Sequence, residues 1–377
     1  MNRYTIIKKT FLKTTIQKIV IMSFYVAIIA FFLYLPIILD IFSAQGALSV
    51  CVFSETFTQE SIELFEKETG IKVNLTYVEM DELLYAKFRM NGAAGYDVVN
   101  ISDYVVQGVS GQGQLARIDK AVVTSMAGIN PNLRGLVYDP DNQYSVPHKW
   151  YVYGLVYDTL FFNKTPDEMS LRYIFNSPSS LLEQHVVPST YKICMLDDAR
   201  DALFMTTIYS LHKVAGLTAS DIAIAKGLLV QQKSWVEAYT LHSVEYFLLA
   251  GITPIALMSS NYMRKIYAIS DRYEFAIPKE GSMLIVENLA IPKTSKKVHL
   301  AQQFINFMLR DDIAALNSEA YGFNSANKHA SEKLDESLRN NRHLFPDTSM
   351  FKRLHIPLLP ISQRQAVEDM WLEVSFS

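Results

Sequence analysis

Apolar and polar positions switch between two periods along most of this chain. Residues 48–53, LSVCVF, form a short apolar run that predicts a buried strand. From Thr58 the pattern becomes helical in TQESIELFEKET, with Gly70 placed to end it. The β-branched stretch 71–78, IKVNLTYV, predicts a second strand. Asp81 is read as the cap of a helix, DELLYAKFRMNG, that stops at Gly92, and YDVVNIS at 96–102 as a third strand. Strands and helices in this alternation predict a mostly parallel sheet with helices on its faces. GQGQ at 111–114 reads as a helix stop rather than a phosphate cradle. The pattern resumes at YKICMLDD (191–198), a strand running into a helix start. Three more short strands follow at PIALMSS (254–260), YEFAIP (273–278) and ENLAIP (287–292). HLAQQFINFMLRDDIAALNSEAYG predicts one long amphipathic helix ending near Gly322, and 330–377 reads as helix and irregular chain.

One stretch fits neither period. Residues 19–39 are 21 consecutive uncharged, mostly apolar positions, and Lys8, Lys9, Lys13 and Lys18 precede them. A helix of about 20 such residues spans a bilayer, and the positive flank keeps the N-terminus inside while the chain beyond the helix is exported. The run is longer than the ~7–15 residue core of a cleaved signal, which favours a retained anchor, yet Ala44-Gln45-Gly46 fits a cleavage site. Residues 1–46 are therefore a signal peptide or a membrane anchor, with the helix over 19–39.

The length of 377 residues changes the picture for the body, since single cores stop growing near ~250–300 residues and two lobes are expected. The first 46 residues hold five Lys/Arg and Asp40, so 30 basic and 37 acidic residues remain in the body, a net of −7. That excludes the basic footprint of a nucleic-acid binder and suits a cationic ligand. The two cysteines, Cys51 and Cys194, have no paired spacing and are expected to be buried and unpaired. The eight histidines are scattered, and no zinc, phosphate-loop, dinucleotide or nucleophile motif is present. No catalytic residue, metal site or cofactor is expected, and an enzyme is disfavoured.

In open parallel sheets, ligands sit beyond the carboxyl ends of the strands. The first strand ends at Ser54 and Glu55, the third at Ser102, Asp103 and Tyr104, and the second-half strand at Asp197 and Asp198. Acidic, hydroxyl and aromatic groups together suit an amine-bearing cation. Plainer roles stand beside this one. Asp198 and Asp201 have the i, i+3 spacing of a helix capping box. Glu287 is also read as a solvated strand-edge residue, and Phe53, Tyr104 and Phe323 as core aromatics.

The segments ETFTQESIELFEKETGIKV, YDVVNISDYVV, DPDNQYSVPHKW, MLDDARD, FAIPKEGSMLIVENLAIP, and QFINFMLRDDIA followed by GFNSANK occur in one order over residues 48–330. In order and spacing the chain resembles the spermidine/putrescine-binding proteins of ABC importers. The resemblance implies an α/β, two-lobed type II periplasmic binding protein fold with an N-terminal transmembrane or signal helix. Lobe 1 would comprise 47–150 and 287–329, and lobe 2 would comprise 151–286 and 330–377, with crossings near 148–153 and 286–289. The implied protein is a periplasmic, extracytoplasmic monomer anchored to the inner membrane. It would bind a polyamine or related cationic amine in the cleft and deliver it to ABC permease and ATPase subunits.

Carried across residue by residue, the resemblance implies ligand contacts from Phe53, Ser54, Glu55, Ser102, Tyr104, Asp198, Asp201, Ser243, Glu287 and Phe323. Thr56 and Phe323 stand where the family has Tyr, Ser259 and Ile285 where it has Trp, Asp201 where it has Glu, and Glu287 where it has Asp. The carboxylates are retained in kind and the aromatic cage is reduced. Each aromatic contact to a cation is worth about 0.5–2 kcal/mol, so the ligand is a different cation or is held more weakly. The same fold also serves receptors for ferric ion or other small solutes, although Tyr151 and Tyr153 do not make the adjacent Tyr pair expected of a ferric site. A membrane-tethered sensor that has lost transport is the other alternative.

Overall fold

The computed structural model describes residues 47–377 apart from 241, 242 and 335, together with 22, 23, 28 and 31. But for these last four, the expected helix over 19–39 falls outside the described residues. Among the described residues, no helix is long and apolar enough to cross a membrane.

The first strands form where the apolar runs lie: β1 (Leu48–Phe53), β2 (Val73–Val78) and β3 (Val98–Ser102), separated by α1 (Gln59–Thr69) and α2 (Asp81–Asn91). The Thr58 side chain accepts the Ser61 N–H at 3.0 Å and caps α1, and Gly70 ends it in the left-handed region with φ 72°. Asp81 does not cap α2. Met80 holds the cap position, and the Asp81 carboxylate instead accepts the Ser102 N–H at 3.1 Å and the Ser102 hydroxyl. α3 (Asp103–Ser110) follows β3 without a break and stops at Gly111.

β2, β1 and β3 are parallel, as are β5 (Ile193–Met195), β6 (Val236–Tyr239) and β7 (Ile255–Ser259). Two longer strands join these sets, β4 (Ser145–Asp158) and β9 (Ser282–Ala290), with β8 (Tyr273–Ala276) beside β4. The strand order is β2-β1-β3-β9-β4-β7-β5-β6. The sheet is therefore mixed rather than mostly parallel. β9 runs against both β3 and β4, and β4 runs against β7, because these two strands are the crossings between halves and enter without a helical crossover. β9 also begins five residues before the expected Glu287, taking in the whole apolar run from Ser282. β4 divides its length, with 145–152 in register with β9 and 153–158 with β7 and β8.

Two hydrophobic clusters form the core of this two-lobed α/β protein. The first gathers Phe65, Phe88, Ile101 and Phe304 and also takes in Cys194, Met258 and Phe275 from the second half. The second gathers Tyr173, Phe204, Leu229 and Leu257. α4 (Ala199–Leu211) and α5 (Ala219–Gln232) cover the second. The expected long helix over 299–322 is two helices, α6 (Val298–Met308) and α7 (Asp311–Tyr321). Arg310 is extended between them, its guanidinium held by Glu68 at 2.7 Å and Asp312 at 2.6 Å. Asp311 and Asp312 open the new first turn, where acidic groups favour a helix start. α8 (Ile361–Phe376) closes the chain and buries Val367, Met370 and Val374 in the second cluster. Cys51 in β1 and Cys194 in β5 are both buried and free.

Gly154 is required where β4 meets β8. A β-carbon there would lie 2.7 Å from the Ala276 carbonyl oxygen and would collide with the Phe275 ring. Gly154→Ala is expected to cost about 1–3 kcal/mol, the usual penalty of overpacking, read as a lower denaturant midpoint. An unchanged midpoint would mean that β8 moves aside freely.

Candidate functional site

Strand alternation places Lys149, Tyr151 and Tyr153 on one face of β4. The β4–β9 register sets Lys149 opposite Glu287 and Tyr151 opposite Ile285. Directly opposed residues of an antiparallel pair share a face and touch. The Lys149 Nζ lies 3.2 Å from Glu287 Oε2, with both side chains 8% exposed. Asn100 Nδ2 donates to the same oxygen at 2.7 Å. The ammonium also lies 5.4 Å from the centre of the Phe323 ring. His148 packs between Phe57 and Phe323, and burial with the neighbouring Lys149 charge holds its imidazole down to about 3, so it is neutral.

The second group forms at the start of α4. Asp198 is the N-cap, its Oδ1 accepting the Asp201 N–H at 2.8 Å, so the expected capping role is real. Arg200 in the same turn donates from Nε to Asp201 Oδ1 at 2.9 Å and lies 4.3 Å over the Tyr104 ring, which belongs to the other half. Arg364 of α8 reaches the same ring at 5.0 Å and lies 4.3 Å over Tyr85. The Tyr104 hydroxyl donates to Glu82 Oε1 at 2.7 Å. Asp103 is fully buried and accepts the N–H groups of Tyr104 at 2.7 Å and Val286 at 3.0 Å.

Six carboxylates thus act on one another where the halves meet, Asp81, Glu82, Asp103, Asp198, Asp201 and Glu287, among the cations Lys149, Arg200 and Arg364. Burial pushes Asp81 up to about 7. The Ser102 hydrogen bonds oppose that rise, and the Glu287 and Glu82 charges add to it. Burial and the Asp201 charge push Asp198 up to about 7. Asp103 rises to about 6 through burial, with Arg200 drawing it back. The Tyr151 and Tyr153 phenols are held well above their ordinary range by burial, and by the nearby Glu287 and Asp201 charges respectively. Among the described residues neither Asp81 nor Asp198 forms an ion pair. Chemically, the arrangement offers two partly protonated carboxyls and phenol walls to a cation.

Ser102, Tyr104, Asp198, Asp201, Glu287 and Phe323, all expected at the site, meet here. Phe53 is half-buried against the first cluster. Ser54, Glu55 and Ser243 are exposed outside this group. Glu55 sits at φ 57° with Lys265 at 3.7 Å, and the Ser243 N–H donates to the Thr240 hydroxyl at 3.2 Å. The sequence reading missed Lys149, Arg200, Glu82 and Arg364, and took Asp81 for a cap. Lys149 had a signal, being the one cation in the otherwise apolar strand β4 and in phase with two tyrosines. Glu82 and Arg364 had none, since their neighbours are remote in sequence.

A family model described as bacterial extracellular solute-binding protein matches residues 60–346. The chain belongs to this family. Its role is solute binding, and its place is outside the cytoplasm. Among curated relatives, it is 26% identical over 347 residues to the putrescine-binding periplasmic protein SpuD of Pseudomonas aeruginosa, covering 87% of this chain and 91% of that one. It is 27% identical over 297 residues to the spermidine/putrescine-binding periplasmic protein of Escherichia coli, covering 77% and 80%. Among solved structures, the spermidine/putrescine ABC transporter substrate-binding protein PotD of Streptococcus pneumoniae superposes with a TM-score of 0.74 at 23% identity. That match covers 88% of this chain and 99% of that one, and it shows the fold.

The Arg200–Asp201 pair neutralises one charge of this carboxylate group. Asp201→Ala is expected to cost about 3–5 kcal/mol in denaturant unfolding, since it strands a mostly buried guanidinium. A loss under about 1 kcal/mol would show that Asp103 and Asp198 take over the pairing.

Proposed function

We propose that this solute-binding protein holds a polyamine-class cation between its two lobes and delivers it to an ABC permease driven by an ATPase. In this reading the lobes are 47–150 with 287–329, and 151–286 with 330–377. The protein is a monomer, tethered to the outer face of the inner membrane through residues 19–39. One observation carries the ligand class. Asp81 and Asp198 are half-buried, without ion pairs among the described residues, and pushed up to about 7 by desolvation among further carboxylates. An ammonium group supplies the missing charge, in charge-assisted hydrogen bonds roughly twice as strong as neutral ones. Asp81, Glu82 and Asp198 are the acceptors in this reading, and Tyr104, Tyr151 and Tyr153 the walls. The names of the curated relatives support the same ligand class. Binding would favour closure about β4 and β9, a hinge motion of packed lobes.

Calorimetric titration with putrescine and spermidine tests this. Asp198→Asn should weaken the amine that binds by about 10–150-fold, the equivalent of the ~1.5–3 kcal/mol of a charged hydrogen bond. Neither heat nor thermal stabilisation with either amine would overturn the ligand class. Unfolding of Asp198→Asn with unchanged affinity per folded molecule would make Asp198 a cap alone.

The pH dependence comes from the same groups. A carboxyl at about 7 in the free protein must lose its proton to meet an ammonium, so amine affinity should fall about tenfold per linked carboxyl between pH 8 and pH 6. Stability runs the other way. These carboxyls titrate higher folded than unfolded, so the free protein holds protons that the unfolded chain has released. Its stability should fall as pH rises from about 4 to about 7. Flat affinity between pH 6 and pH 8 would show that neither carboxyl meets the ligand.

A further inference from the structure

We propose that Lys149 is a resident ammonium group, filling one amine seat of the cleft from within the chain, so that the site selects a short amine over a long one. The inference rests on the cationic-ligand reading above and sets its specificity. A seat for an alkylammonium needs a carboxylate shielded from water, a second polar group to fix that carboxylate, and an aromatic face beside the charge. All three surround the Lys149 Nζ. Glu287 Oε2 lies at 3.2 Å, Asn100 Nδ2 holds that oxygen at 2.7 Å, and the Phe323 ring centre lies at 5.4 Å. A lysine side chain is itself a butylammonium, so the group filling this seat has the chemistry of the end of a diamine.

The consequence is a shortened site. Glu287 faces Lys149 directly across the β4–β9 pair, and on the same face of β4 the next two positions are Tyr151 and Tyr153. Near them stand the carboxyls that no chain cation pairs among the described residues: Asp81, bonded to the Ser102 that faces Glu287, and Asp198, the cap of α4, with Glu82 acting on both. An amine that reaches these groups finds acceptors and phenol walls. If it continues toward Glu287, it meets the Lys149 charge, and like charges in a water-poor cleft repel strongly. With Glu287 taken, Asp81 and Asp198 remain as acceptors for the two ammonium groups of a diamine. Spermidine carries a further ammonium, which has no open seat.

Calorimetry on the wild-type protein, Lys149→Met and Lys149→Ala tests the assignment. The wild type should bind putrescine at least tenfold more tightly than spermidine. Lys149→Met keeps most of the side-chain volume and frees Glu287, so spermidine affinity should rise tenfold or more while putrescine changes less than threefold. Spermidine binding to the wild type as tightly as putrescine, or no selective gain in Lys149→Met, overturns the proposal. A second arm needs no transported ligand. Lys149→Ala should melt below the wild type and be restored by millimolar propylammonium but not by propanol. No restoration, or equal restoration by propanol, shows that the pocket is no ammonium seat. If neither amine binds the wild type, the polyamine reading fails, and the propylammonium arm still decides the role of Lys149.

Discussion

Strands β4 and β9 are buried along almost their whole length, so their backbone groups have no water to bond and must find partners on both edges. They find them in each other, in β3 and in β7. The rest of the molecule depends on this pairing. It joins two sets of parallel strands that otherwise share no edge, and it fixes the register that sets Lys149 against Glu287 and carries Tyr151 and Tyr153 into the same cleft. A slip of β4 by one residue would turn Lys149, Tyr151 and Tyr153 away from the face that carries Glu287. The continuous strand path is thus compatible with two lobes, because β4 gives its first part to one half and its last part to the other.

The cleft is an electrostatic compromise. Carboxylates crowded away from water repel one another, and each loses hydration. Arg200 and Lys149 neutralise part of that charge within the chain. Partial protonation of Asp81 and Asp198 relieves part of the remainder. Arg200 and Arg364 also connect the halves, since both belong to the second half and lie over Tyr104 of the first. Parting the lobes would give up these contacts and return the carboxylates to water. In the proposed reading closure and charge balance are coupled, which would be a physical route for a cation to shift the open–closed equilibrium.

The secondary structure was legible wherever burial and capping were local. β1 ends where its apolar run ends, and Thr58, Gly70 and Gly322 act as written. Reading failed where the deciding partner was distant. The helix over 299–322 breaks at Arg310, whose guanidinium is shared between neighbouring Asp312 and Glu68, some 240 residues earlier. Asp81 left its expected cap for Ser102 across the sheet edge. The direction of β9 could not be read from an apolar run, since parallel and antiparallel strands buried on both faces look alike in sequence.

The sequence alone determined the α/β character, the two halves, the carboxylate-rich strand ends and the solute-binding resemblance, because periodicity, caps and motif order are properties of neighbouring residues. Strand alternation even held the phase of Lys149, Tyr151 and Tyr153. Which charges compensate which was decided only by the tertiary structure. Glu287 appeared as a free carboxylate until β4 placed Lys149 opposite it. Coulomb energy depends on separation and burial, and neither quantity exists for a pair of residues until the chain has folded.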